Sequence, residues 1–297
     1  MHDLRLREYP TDLNQRTCEW IERIDRPRGP TVSAGDLYRG AYWSTVRELS
    51  KAAGKQGSKI EMWVASAGYG LLHIDNQVEG YSATFAAYSP DSVSRAGGGE
   101  AAAIESSVWW ERLARRPKNT EKIACLRELA EESPRDPMVV VLSNSYLRAL
   151  RRDLLEAEQQ LDDPTRLFTV SVGTGPPEIS HLQVPLDARF QPALGGSLGS
   201  LNVRAAKLLI EESVSHRWNG KVVRDEFLKR QESLPPIERP KGRSLSNDQV
   251  AQFLRDALKK DATATHSSLL RKLRDSGLSC EQRRFADLFA TTLKGMK

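Results

Sequence analysis

The stretch Ile60-Glu61-Met62-Trp63-Val64-Ala65-Ser66-Ala67-Gly68-Tyr69-Gly70-Leu71-Leu72 decides how the chain is read. An apolar run stops abruptly in small residues. A buried strand ends this way when it delivers a loop to the carboxyl edge of a parallel sheet, where ligands bind. Ser66, Ala67, Gly68 and Gly70 let backbone amides approach a bound group closely. Ser66 and Tyr69 add hydroxyls that donate or accept. A tight turn that binds nothing fits the same spacing.

Two further runs have the same form. Met138-Val139-Val140-Val141-Leu142 ends in Ser143-Asn144-Ser145-Tyr146, and Leu167-Phe168-Thr169-Val170-Ser171-Val172 closes in Gly173-Thr174-Gly175. Three strands with loop-rich exits, separated by helices, predict an α/β body with a mostly parallel sheet flanked by helices. Helices are expected over 41–53, 100–115, 120–132, 146–161 and 201–214, and a short strand near 13–20. The Ser/Gly-rich segment 92–99 is expected to be a mobile loop. Gly195-Gly196-Ser197-Leu198-Gly199-Ser200 enters a helix and is a weak anion-site signal. Its spacing matches neither the Walker nor the dinucleotide fingerprint.

The chain has 297 residues, enough for one large domain or two unequal ones. Its three cysteines (Cys18, Cys125, Cys280) are far apart and form no CxxC pair, and its five histidines are equally scattered. This predicts a cytoplasmic protein with no structural metal site and no cofactor. No apolar run approaches the roughly 20 residues that span a membrane. The start, Met1-His2-Asp3-Leu4-Arg5, lacks the apolar core of a signal peptide.

Charge is uneven. Residues 241–297 hold 12 Lys and Arg against 6 Asp and Glu, a net of +6, which leaves the rest of the chain at −1. A basic module attached to a near-neutral body is the pattern of a nucleic-acid tether, and a solvated helical surface is the plainer reading. Residues 1–230 read as the α/β body, 231–245 as a Pro/Gly linker, and 246–297 as an all-helical module. Ser246/Gln249 and Ser279/Gln282 read as capping boxes, and Gly277 as a helix stop. The helix–Gly–helix segment 266–293 reads as helix-turn-helix-like. There Arg283 and Arg284 would enter a groove, and Arg271, Lys272 and Arg274 would reach phosphates of DNA. Leu273 departs from that pattern, because a small residue is usual there.

Cys18, Asp36-Leu37-Tyr38-Arg39-Gly40, the loop Ser66-Ala67-Gly68-Tyr69-Gly70-Leu71-Leu72, Asp75 and Tyr81 form an ordered series. This series resembles the YaaA-like superfamily and its relatives encoded beside enzymes that place 7-deazaguanine bases in nucleic acid. The likeness covers roughly residues 12–215, and its motifs are short. It is good at 36–40 and 66–72. It is poor around Cys18, where Arg26 or Arg28 only loosely replaces the family's lysine. The basic tail lies outside it.

The resemblance implies a DNA-modification enzyme that hydrates the nitrile of 7-cyano-7-deazaguanine to the 7-amide, with DNA and other proteins of the same system as partners. Such chemistry needs a nucleophile at carbon and a proton donor at nitrogen. Cys18 is the candidate thiol, Asp75 or Glu79 the candidate base, and Ser66 with the amides of Ala67, Gly68, Tyr69 and Gly70 the candidate anion hole. Tyr38, Tyr69 or Trp63 would stack on the base, and Asn144 and Tyr146 would bond its edge. Each has a plainer role in packing, capping or the surface. The alternative is a non-catalytic DNA-binding or base-sensing accessory protein. A nuclease ranks last, because no cluster of acidic metal ligands is evident. Convergence of Cys18 and Asp75 with Ser66 separates the first two.

Overall fold

The computed structural model describes residues 4–116, 123–213, 217–236, 242–261 and 264–295. It divides into two compact units, Met1–Pro235 and Pro236–Lys297. The division falls inside the expected linker, but ordered elements enter that linker from both sides. A helix reaches Ser233, and a two-residue strand starts at Arg243.

In the larger unit the elements run α1 (Leu13–Ile24), β1 (Thr31–Ser33), α2 (Ala41–Lys55), β2 (Trp63–Ser66), β3 (Gly70–His73), β4 (Gln77–Glu79) and α3 (Gly99–Ala114). They continue with α4 (Leu126–Glu132), β5 (Met138–Val141), α5 (Asn144–Gln160), β6 (Leu167–Val172), β7 (Gln183–Leu186), α6 (Leu201–Glu211) and α7 (Gly220–Ser233). The expected helix over 120–132 is described only from Leu126, since residues 117–122 lie outside the described ones, as does Val214 at the expected end of α6.

β5, β6 and β7 form a parallel sheet in that order. β-Branched residues suit strands buried on both faces, and the period of two sorts them. Met138, Val140 and Leu167 join one core with Leu147, Leu150, Leu154 and Ala157 of α5. Val139, Val141, Phe168 and Val170 face a second core with Leu201, Ala205 and Leu209 of α6 and Val223 and Phe227 of α7. The sheet therefore has helices on both faces, the α/β arrangement that the strand pattern predicts.

The stretch 60–72 does not belong to that sheet. β2 pairs antiparallel with β3, with Ser66 opposite Gly70, so the segment is a hairpin. The sequence suggested a parallel strand because both faces of the hairpin are largely buried, and burial on both faces makes the run apolar without alternation. Leu13–Trp20 is likewise helix rather than strand. Asp12 caps α1 by accepting the Gln15 amide, and Arg16, Thr17, Trp20 and Ile24 turn inward at helical spacing. Segment 92–99 is not a loose loop at its start. Ser92, Val93 and Ser94 are buried, and the Val93 carbonyl accepts from the buried Arg16 guanidinium at 2.7 Å.

The smaller unit contains β8 (Arg243–Ser244), α8 (Asn247–Lys260), α9 (His266–Asp275), β9 (Leu278–Ser279) and α10 (Gln282–Gly295). Val250, Leu254, Leu258, Leu269, Leu270, Leu273 and Phe285 form its core, so Leu273 is a packing residue. The capping box Ser246/Gln249 is present. Gly277 ends α9 in the left-handed region, at φ 72°. The second expected box does not form. Ser279 Oγ donates to the Gly242 carbonyl at 2.7 Å, and the Arg284 amide donates to Glu281 instead.

Candidate functional site

The tip of the β2–β3 hairpin is held from several sides. The indoles of Trp20 and Trp109, both fully buried, donate to the carbonyls of Gly68 at 2.7 Å and Ala67 at 2.8 Å. Ser66 Oγ accepts the amides of Gly68 at 3.2 Å and Tyr69 at 3.1 Å. These contacts correct the expected anion hole: the Gly68 and Tyr69 amides are spent on Ser66, within the turn. The glycine at position 68 has another purpose. A Cβ there would lie 2.6 Å from the Tyr81 ring, so Gly68 makes room for that ring rather than for a ligand.

Tyr81 connects the hairpin to α2. Its hydroxyl lies 2.7 Å from Ser66 Oγ and 2.7 Å from the Tyr38 hydroxyl. Ser66 Oγ already accepts two amide hydrogens, which fills its acceptor capacity, so its own hydrogen goes to one of the two phenols. Ser66, Tyr81 and Tyr38 thus form one cluster of hydroxyls. The Tyr38 ring stacks on Trp43 at 4.6 Å and 12°. Tyr42, one residue before that tryptophan, bonds the Val141 carbonyl at the carboxyl end of β5. Tyr146, in the first turn of α5, packs edge-on against Phe85.

Burial keeps these phenols protonated. It is the largest cause of an upward shift for Tyr38, Tyr81 and Tyr146, and it pushes Tyr42 up to about 12. The result is a half-buried group of tyrosines that donate hydrogen bonds at neutral pH, set beside the carboxyl end of the parallel sheet.

Among the residues expected at a site, Ser66 and Tyr38 come together here, and Tyr146 packs against the same core. Tyr69 does not stack outward. It is buried, its hydroxyl bonds the Glu79 backbone, and burial pushes it up to about 12. Ala67 is a buried turn residue, and Gly70 is the buried first residue of β3. Asn144 uses its amide within the sheet, donating to the Val172 carbonyl at 3.0 Å and accepting from Ser171 at 2.9 Å. Trp63 packs edge-on against His73.

Cys18 and Asp75 do not join Ser66. Cys18 is exposed on α1, and Asp75 is 84% exposed in the turn after β3, whereas Ser66 is 1% exposed. Glu79 is buried in an ion pair with Arg23 and also accepts the Arg28 amide, so it is a structural carboxylate rather than a base. Tyr42, Trp43 and Tyr81 were not anticipated as site residues. The i,i+4 pair Tyr38/Tyr42 at the entry to α2, and the place of Tyr81 in the family-like series, were the available signals.

Of the expected DNA contacts, Arg271, Lys272 and Arg274 are exposed on α9. Arg284 is not available. Its guanidinium donates to the Leu245 carbonyl at 2.6 Å and to Cys280 Sγ at 3.3 Å. The Arg283 side chain lies outside the described residues.

The chain matches no family model, no curated protein and no solved structure. Among the described residues, no three His, Cys, Asp or Glu side chains are grouped to hold a metal ion, and no helix is long and apolar enough to cross a membrane.

Proposed function

We infer that the chain recognises a purine-like modified base of the 7-deazaguanine class in DNA, with the tyrosine group as the base site. The observation that carries this reading is the hydroxyl cluster of Ser66, Tyr81 and Tyr38 beside the stacked rings of Tyr38 and Trp43. A planar heterocycle with an acceptor at its edge suits a donor backed by aromatic faces. A base within a duplex would have to be flipped to reach half-buried phenols. The family-like series, which includes Tyr38, Ser66 and Tyr81, supports the same class of ligand.

Nitrile hydration is the second reading, favoured by the protonated state of the phenols. The water oxygen bonds to the nitrile carbon, both water protons finish on nitrogen, and the product is the amide. Tyr38 would give a proton to the nitrile nitrogen and take one from the attacking water, so that it ends protonated as it began. The separation of Cys18 and Asp75 from Ser66 speaks against a thiol route and makes recognition the leading reading.

Incubating the protein with DNA that contains 7-cyano-7-deazaguanine, then weighing the digested nucleosides, distinguishes the two. Unchanged mass with selective binding supports recognition. A gain of one water establishes hydration. Neither binding preference nor mass change would refute both.

A further inference from the structure

In the larger unit many cations are engaged. Arg7 pairs with Asp91, Arg23 with Glu79, Arg189 with Asp187 and Arg230 with Glu212. The smaller unit differs. Arg271, Lys272 and Arg274 of α9 are exposed, as are Lys259 and Lys260 at the end of α8. Among the described residues none of the five meets a carboxylate. α9 is two-sided: Leu269, Leu270 and Leu273 enter the core, while Ser267, Ser268, Arg271, Lys272, Arg274 and the single carboxylate Asp275 face outward. Hydroxyls and unpaired cations on one helix face are the side chains that contact phosphate oxygens.

The helix that would read bases has one of its two expected contacts tied inward. A recognition helix needs its first-turn side chains free to reach base edges. Arg284 instead ties α10 to the Leu245 carbonyl and the buried Cys280.

We propose that the C-terminal unit grips duplex DNA by its phosphates through the outer face of α9, without reading sequence, and that Arg284 is an internal strut rather than a base contact. The proposal rests on the reading that DNA carries the modified base. It is tested on unmodified DNA, so its failure and the failure of the base site are separable.

The experiment is fluorescence anisotropy of the full chain with two guanine-containing duplexes of unrelated sequence, between 50 and 200 mM salt. Each phosphate contact contributes a slope of about −0.9 in log affinity against log salt. The triple variant R271A/K272A/R274A is expected to bind about tenfold or more weakly at low salt, with a slope shallower by up to about 2.7. Both duplexes should bind the wild type equally. The three side chains are exposed and unpaired, so the melting temperature should not move. The single reversal Arg271→Glu gives a milder version, also expected to weaken binding. Unchanged affinity and slope in these variants, or a strong preference for one duplex, would overturn the proposal.

Discussion

The Tyr81 ring lies where a side chain on Gly68 would be: a Cβ at that glycine would come within 2.6 Å of two ring carbons. This contact sets the distance between the hairpin tip and the two-residue strand Tyr81–Ser82, and with it the 2.7 Å bond between Ser66 and the Tyr81 hydroxyl. Gly68→Ala is therefore expected to destabilise the larger unit by about 1–3 kcal/mol, as overpacked sites do. Denaturant titration would show this as a lower midpoint. An unchanged midpoint would mean that the ring moves aside freely.

Cys18→Ala and Asp75→Ala should leave base binding within about twofold of wild type and stability within about 0.5 kcal/mol, the usual range for surface changes. The reason is exposure: Cys18 faces outward from α1, and Asp75 is 84% exposed. Affinity measured on DNA with the modified base checks both, and a large loss in either variant would restore the thiol or carboxylate route.

Glu79 gives a pH signature. The Arg23 hydrogen bond is the largest cause holding its carboxyl below the usual range, with the Arg28 and Gly29 amides adding to it. A lowered folded-state value means that the stabilisation is complete above the ordinary Glu value, about 4.3, and is lost as pH falls through the folded value. Glu79→Gln should cost about 3 kcal/mol at pH 7, because it leaves Arg23 without its ionic partner. The variant should also show a shallower loss of stability below about pH 4.3 than the wild type. Parallel curves would remove Glu79 from the acid response.

Arg284→Ala should lower the melting temperature of the C-terminal unit while leaving the salt dependence of DNA binding intact. Its loss leaves the Leu245 carbonyl without that donor, a cost of about 1–2 kcal/mol. Differential scanning calorimetry and the anisotropy series together check it. An unchanged melting temperature with a shallower slope would return Arg284 to the DNA surface.

The parts of the fold legible in the sequence were those with a clean period. α5 was legible because Leu147, Leu150, Leu154 and Ala157 repeat at helical spacing, and α8 because Ser246 and Gln249 form a local box. α1 does not read as a helix in the sequence because its inward face carries Arg16 and Thr17, polar residues whose burial depends on partners elsewhere in the chain, such as the Val93 carbonyl. The hairpin reads as a parallel strand in the sequence because pairing partners are tertiary facts that an apolar run does not disclose. Ser66 and Tyr38 were legible through their motifs. Tyr42 and Trp43 were not, because their roles depend on how the entry of α2 meets the end of β5.

The most direct test compares affinity for a duplex carrying one 7-cyano-7-deazaguanine with the same duplex carrying guanine, for wild type and Tyr81→Phe. The phenylalanine keeps the ring against Gly68 and removes the hydroxyl that bonds both Ser66 and Tyr38. The wild type is expected to prefer the modified duplex by about tenfold or more, worth about 1.4 kcal/mol, and the variant to lose that preference while binding unmodified DNA as before. Equal affinity of the wild type for both duplexes, or a preference that survives in Tyr81→Phe, would contradict a base site built on the Ser66–Tyr81–Tyr38 chain.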